Sequence, residues 1–112
     1  MRIGELALRS GVSTRSLRHY EQKGLLVARR SANGYREYDE THVKLVQEIR
    51  ALMAVGFTLE DARPFVACLQ AGNDSGGVCP ESVEVVRRKL IEIDTEIRDL
   101  MARRDEMLRR NT

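Results

Sequence analysis

The stretch "IGELALRSGVSTRSLRHYEQKGLL", Ile3 to Leu26, decides the fold of this chain. Leu6 and Ala7 face inward on a short helix. Gly11 breaks that helix, because only glycine enters a positive-φ turn without steric cost. Val12 packs, Ser13 offers the hydroxyl of a good N-cap, and a second helix runs from about Thr14 to Lys23. Gly24 closes it as the C′ residue. Helical spacing places Leu17 on the buried side and Thr14, Arg15 and Arg18 on the other, with His19 beside them. Two short helices joined by a tight, glycine-containing turn make a helix-turn-helix.

Downstream, "LLVARRSANGYREYDE" carries an Asn-Gly pair between Val27 and Tyr35–Tyr38, a strong hairpin signal. It predicts a two-stranded wing, with Arg29 and Arg30 on one arm and Tyr35, Arg36 and Tyr38 on the other. Alternation puts Tyr35 and Glu37 on one face, Arg36 and Tyr38 on the opposite face. Asp39 then caps a helix to about Val55, with Val43, Val46, Ile49 and Met53 as its expected buried stripe. Gly56 ends it, and "TLED" from Thr58 has capping-box spacing. Pro64 is expected to kink or shorten the helix that follows. "QAGNDSGGV" reads as a loop.

From Pro80 onward, Val83, Val86, Leu90, Ile93, Ile97, Leu100 and Met107 recur at alternating steps of three and four, with Arg104 in the one missing place. This is a heptad seam. A helix of about 30 residues spans roughly 45 Å, longer than so small a body can cover. The seam calls for a partner, and the same helix of a second copy is the economical one, giving a homodimer. The expected organisation is a mainly α chain: a winged helix-turn-helix domain over residues 1–71, a hinge loop over 72–79 and a dimerisation coiled coil over 80–112.

The charge is unevenly spread. The formal net charge is +2, yet residues 1–38 carry +5 and the remainder −3. A basic first third on a near-neutral body is the footprint of a nucleic-acid reader. No apolar run approaches the length of a membrane span, and the N-terminus lacks the core of a signal peptide. With two cysteines among 112 residues, the expected location is the cytoplasm, with no membrane partner. No Ser/His/Asp set, phosphate-binding glycine loop or metal-ligand cluster supports an enzyme.

Taken together, "IGELALRSGVSTRSLRHYEQKGLL", "NGYREYDE" and "IRALMAVGFTLEDAR" resemble, in order and spacing over about residues 2–66, the N-terminal domain of the MerR family of transcriptional regulators. The helix from Pro80 stands where that family has its dimerisation helix. Ala28 stands where the family often has Pro, and Ser16 where Thr is common. The chain stops at the end of the coil, so the expected form is the short one, without a C-terminal ligand domain. In such a protein the second helix enters the major groove, where Arg15 and Arg18 donate to guanine edges or phosphates and Thr14 and His19 do either. Tyr20 is a core residue whose hydroxyl either stays unengaged or reaches a phosphate, while Tyr35 and Arg36 lie along the DNA backbone. A dimer of such units reads an inverted repeat in double-stranded promoter DNA. The resemblance further implies a regulator that shares its promoter with RNA polymerase and bends and untwists the DNA between the promoter elements. An architectural DNA-binding accessory protein without an effector is the alternative.

Two cysteines, Cys68 and Cys79, raise the question of an effector. In the metal-sensing branch of the MerR family the start of the dimerisation helix often carries a metal-binding cysteine, the place Cys79 occupies. The further ligands of that branch follow the helix, and here the chain ends "LRRNT". An iron–sulfur cluster needs four thiolates. Cys68 and Cys79 completed across a dimer would be an incomplete set, so no cofactor is expected, with a metal at Cys79 as the alternative. A thiol switch asks for less. Pro80 fits the first helical position, which makes Cys79 the N-cap and lowers its thiol pKa. Oxidation could then join Cys79 to Cys68, or either to its mate in the dimer. The plainest reading is a small buried Cys68 and a turn residue at Cys79.

Overall fold

The structure is a computed structural model that describes residues 1–111. It is mainly helical, with five helices, a two-stranded sheet and overall extents of 73 × 29 × 20 Å. Helices α1 (Ile3–Ser10) and α2 (Thr14–Gln22) form the helix-turn-helix. Ser13 caps α2 by accepting the Ser16 amide at 3.1 Å. At the other end the Leu25 and Gly24 amides return to the carbonyls of Tyr20 and Glu21, at 2.9 and 3.0 Å. This closure needs Gly24 at φ 75°.

Strands β1 (Arg29–Arg30) and β2 (Arg36–Glu37) pair antiparallel, Arg29 opposite Glu37 and Arg30 opposite Arg36. The loop between them is a turn from Ser31 to Gly34, closed by the Gly34 amide on the Ser31 carbonyl at 2.9 Å. Only Gly34 of the Asn-Gly pair takes a positive φ, at 80°. The wing alternates as expected: Tyr38 is buried against the body, while Tyr35 stands exposed on the other face.

Helix α3 (Glu40–Ala54) starts at Asp39 and α4 (Leu59–Gln70) at Thr58, each with a reciprocal capping box. Two expectations change here. Met53 is 42 % exposed, and Leu52 takes the buried place in the last turn, because α4 covers α3 from Leu52's side. Helix α4 runs unbroken through Pro64. The proline costs one backbone bond, and Glu60, whose carbonyl loses its partner, is exposed.

The main core gathers Leu6, Leu17, Leu26, Val46 and Ile49 from α1, α2, the wing root and α3, all at 1 % exposure or less. A second cluster, Leu52, Ala62, Phe65 and Val85, joins α3 and α4 to the foot of α5 (Pro80–Arg110). Sequence periodicity misses this foot. Ser82 and Val85 are buried against the chain's own body, and Val86 is half-buried on the same cluster. The Ser82 hydroxyl donates to the Gly76 carbonyl at 2.6 Å. From Leu90 onward α5 leaves the body, with Leu90, Ile93, Ile97 and Leu100 between 44 and 58 % exposed. Thr112, the last residue of the expected coil, lies outside the described residues.

Candidate nucleic-acid interface

Helix α2 is held by Leu17 and Tyr20, at 0 and 7 % exposure, and this fixes which side chains look outward. Arg15, Arg18 and His19 are exposed and Thr14 is half-exposed. All four line one open, shallow cleft. Tyr20 is turned into the core, and burial pushes its hydroxyl pKa up.

The wing continues this surface. Tyr35 is 53 % exposed, and the Arg2 guanidinium stacks over its ring at 4.1 Å. Arg30 donates to the Gly34 carbonyl at 3.0 Å, holding the hairpin tip. Arg2, Arg18, Arg30 and Arg36 thus meet around one cleft between α1, α2 and the wing. The sequence places Arg18, Tyr35 and Arg36 here, whereas Arg2 and Arg30 join them only in the fold.

Three fastenings set the wing's position. The N-terminal ammonium donates to the Tyr38 carbonyl at 2.6 Å, and the Tyr38 amide to the Met1 carbonyl at 2.8 Å. His42, 8 % exposed, accepts the Asp39 amide on Nδ1 at 2.9 Å and donates from Nε2 to the Val27 carbonyl at 2.9 Å. The Tyr38 hydroxyl donates to Glu21 on α2. Burial first, and then the Glu21 carboxylate, push the Tyr38 pKa up to about 12. The sequence signal for His42 is its place three residues after the Asp39 cap. Glu21 gives no local signal at all.

The second functional region is the joint between body and coil. Cys68, 2 % exposed on α4, is bonded to half-exposed Cys79, with Cα atoms 5.9 Å apart. Cys79 is the N-cap of α5 and Pro80 its first residue. The Asn73 side chain donates to the Cys68 carbonyl at 2.9 Å, ordering the loop inside the ring. Beside it an ionic clamp ties α4 to α5. Asp61, buried, accepts from Lys89 at 2.8 Å, from Arg88 at 3.0 Å and from the Thr58 amide at 3.0 Å. The Lys89 hydrogen bond leads the causes that hold the Asp61 carboxyl down at about 2.

With both sulfurs in this bond, the donor set does not fit a metal ion. No group of three His, Cys, Asp or Glu side chains among the described residues could hold one. No helix among them is long and apolar enough to cross a membrane. The seam residues Val83, Leu90, Ile93, Ile97 and Leu100 remain exposed along α5.

Known proteins share this fold. Residues 1–67 match the model of the MerR HTH family regulatory protein, and residues 43–110 that of the MerR DNA-binding region. The HTH-type transcriptional regulator HmrR of Rhizobium leguminosarum bv. viciae is 34 % identical over 100 residues, 89 % of this chain and 75 % of that protein. The transcription regulator PbrR691 from Ralstonia metallidurans CH34, solved with lead(II), superposes with a TM-score of 0.76 at 29 % identity, covering 96 % of this chain and 82 % of that one. HiNmlR, a MerR family regulator lacking the sensor domain and solved on promoter DNA, shares the fold with a TM-score of 0.62 at 23 % identity, over 94 % of this chain and 78 % of that one.

Proposed function

The chain belongs to the MerR family of helix-turn-helix regulatory proteins, and from that membership we propose a homodimeric regulator that distorts promoter DNA and is switched by oxidation of Cys68 and Cys79. The DNA-binding regulator is the family's common ground, and its relatives are not enzymes. The remaining features rest on this chain's own residues.

Dimerisation is supported by the apolar seam of α5, which the described residues leave exposed from Leu90 to Leu100. Two copies place two α2 helices on the two halves of an inverted repeat. Bending or untwisting the DNA between them costs several kcal/mol, supplied by phosphate contacts that only the deformed duplex offers. Such a duplex is then presented differently to RNA polymerase.

The observation that carries the redox reading is the Cys68–Cys79 bond at the joint between body and coil. Forming it takes two electrons and two protons from the thiols, accepted by a peroxide or by another disulfide. The bond pins the foot of α5 to α4, next to the Asp61–Lys89 clamp. Any change in the angle between body and coil moves both α2 helices relative to each other. The second reading, a metal-responsive regulator, is favoured by the likeness to a lead(II)-bound regulator. It would need Cys68 and Cys79 reduced and further ligands from the partner protomer.

Binding and transcription on the protein's own promoter test these readings. The protein is compared reduced, oxidised by a mild thiol oxidant, and reduced with a panel of monovalent and divalent metals, with Cys79→Ser alongside. A response to oxidant that the serine variant lacks supports the switch. A response to one metal alone, also lost in that variant, supports the second reading. Equal output in every condition refutes both.

A further inference from the structure

An acid sits where the proposed DNA surface is otherwise cationic. Glu21 is the one carboxylate among the residues lining the clefts along α2 and between α2 and the wing, which also hold Arg2, Arg15, Arg18, Arg30 and Arg36. Its side chain is only 14 % exposed. It accepts from the Tyr38 hydroxyl and lies 3.8 Å from Arg36 Nη1, across a cleft of about 280 Å3 that Arg18 and Gln22 complete.

The Tyr38 bond alone does not require a carboxylate. A glutamine amide oxygen would accept the same hydroxyl. The charge acts on Arg36, which is 55 % exposed and otherwise free to swing toward phosphates anywhere on a duplex. Phosphate contacts raise affinity for all DNA alike, while specificity rests on bases read by α2. A cation held to a fixed acid reaches a phosphate only where the duplex brings one to it.

We propose that Glu21 is a specificity-setting positioning residue. By holding Arg36 and Tyr38 it aims the wing at one phosphate position relative to α2, and it suppresses binding to unrelated DNA. The proposal rests on the DNA-binding reading and not on the redox reading. On the operator a phosphate comes within reach of Arg36 where Glu21 holds it, so half-exposed Arg36 bridges acid and phosphate without breaking the pair, and Tyr38 stays on Glu21. On unrelated DNA no phosphate lies at that point, Arg36 could reach one only by breaking the Glu21 pair, and the pair persists.

The test uses the full-length protein, a duplex selected by it from a randomised library, and a random-sequence duplex. Affinity is measured against salt for the wild type, Glu21→Gln, Arg36→Gln and the double variant. Glu21→Gln keeps the acceptor for Tyr38 and removes the charge. It is expected to bind the random duplex roughly two- to fivefold more tightly per protomer, the range for releasing an exposed ion pair. Its salt dependence on that duplex steepens by about 0.9 per protomer, as one more phosphate is neutralised. Affinity for the selected duplex changes less, so the ratio between the two falls. Arg36→Gln in the same chain cancels the gain. An unchanged ratio and slope, an equal loss on both duplexes, or a gain that survives Arg36→Gln each overturns the proposal. A wild type that selects no sequence refutes the regulator reading instead, and the random-duplex arm still reads Glu21.

Discussion

Breaking the Cys68–Cys79 bond has a size that follows from the chain between the two sulfurs. The bond spans eleven residue steps. Closing a loop of that length removes about 3 kcal/mol of conformational freedom from the unfolded chain. For 112 residues, unfolding entropies near 2.1 cal/mol/K per residue convert this to a Tm roughly 12 °C lower on reduction. Replacement separates two effects. Cys79→Ala loses the whole crosslink. Cys79→Ser loses it too, but places a hydroxyl at the N-cap of α5, where the bonded cysteine makes no side-chain capping contact. A serine cap returns about 1 kcal/mol relative to alanine. The expected order of Tm is oxidised wild type, then Cys79→Ser, then Cys79→Ala, with the reduced wild type among the two variants. Thermal unfolding followed by circular dichroism, at one protein concentration so that dimerisation is held constant, reads this order. Should oxidised and reduced wild type melt within about 2 °C of each other, the bond does not restrain the unfolded chain and the reasoning fails. Should serine and alanine melt together, the N-cap assignment of Cys79 fails by itself.

Other outcomes follow from the clamp and the coil. The Asp61 carboxyl titrates at about 2 against an ordinary 3.8, held down first by the Lys89 hydrogen bond. A lowered folded pKa stabilises above the ordinary value, so about 2 kcal/mol is fully present above roughly pH 4 and is lost as the pH falls through about 2. Asp61→Asn should therefore lower urea stability at pH 7 and make little difference near pH 2; an equal loss at both pH values would contradict the clamp. Ile97 is 49 % exposed in the chain alone, at the centre of the seam. Ile97→Glu removes two such half-uncovered side chains from a symmetric pair, about 1.5–3 kcal/mol in all, and should weaken dimerisation by a factor of roughly 10 to 100. Sedimentation equilibrium checks it, and a variant that remains dimeric at low micromolar concentration would move the interface off this face.

Much of the DNA-binding body was legible because its signals are local. Ser13, Asp39 and Thr58 each bond an amide two or three residues on, and Gly24 closes α2 on carbonyls within five residues. These contacts need no tertiary partner to form. Leu17 and Val46 were legible because a helix repeats its face every three or four residues. The same periodicity failed at Met53 and at the foot of α5. It says that a stripe exists, not where the covering layer ends. Met53 lies on the stripe but beyond that layer, while Val85, buried on α4, and Ser82, buried against the loop at Gly76, lie off the seam. Of the interface, Thr14, Arg15, Arg18 and His19 could be read from one helix. Arg2 could not, because its stack on Tyr35 joins residues at opposite ends of the helix-turn-helix and wing.

By itself the sequence determined the winged helix-turn-helix, the order of its elements, the basic face of α2 and the apolar seam of α5. All of these are set by neighbours within a few residues along the chain. Only the tertiary structure decided which of the open cysteine pairings appears, which turn of α5 is buried in its own chain, and that Glu21 stands between Arg36 and Tyr38. Those facts depend on groups 11 to 27 residues apart, such as Cys68 with Cys79, Glu21 with Tyr38 and Asp61 with Arg88. Hydrophobic burial fixes the layers first, and the side chains that meet across them are whatever the layers bring together.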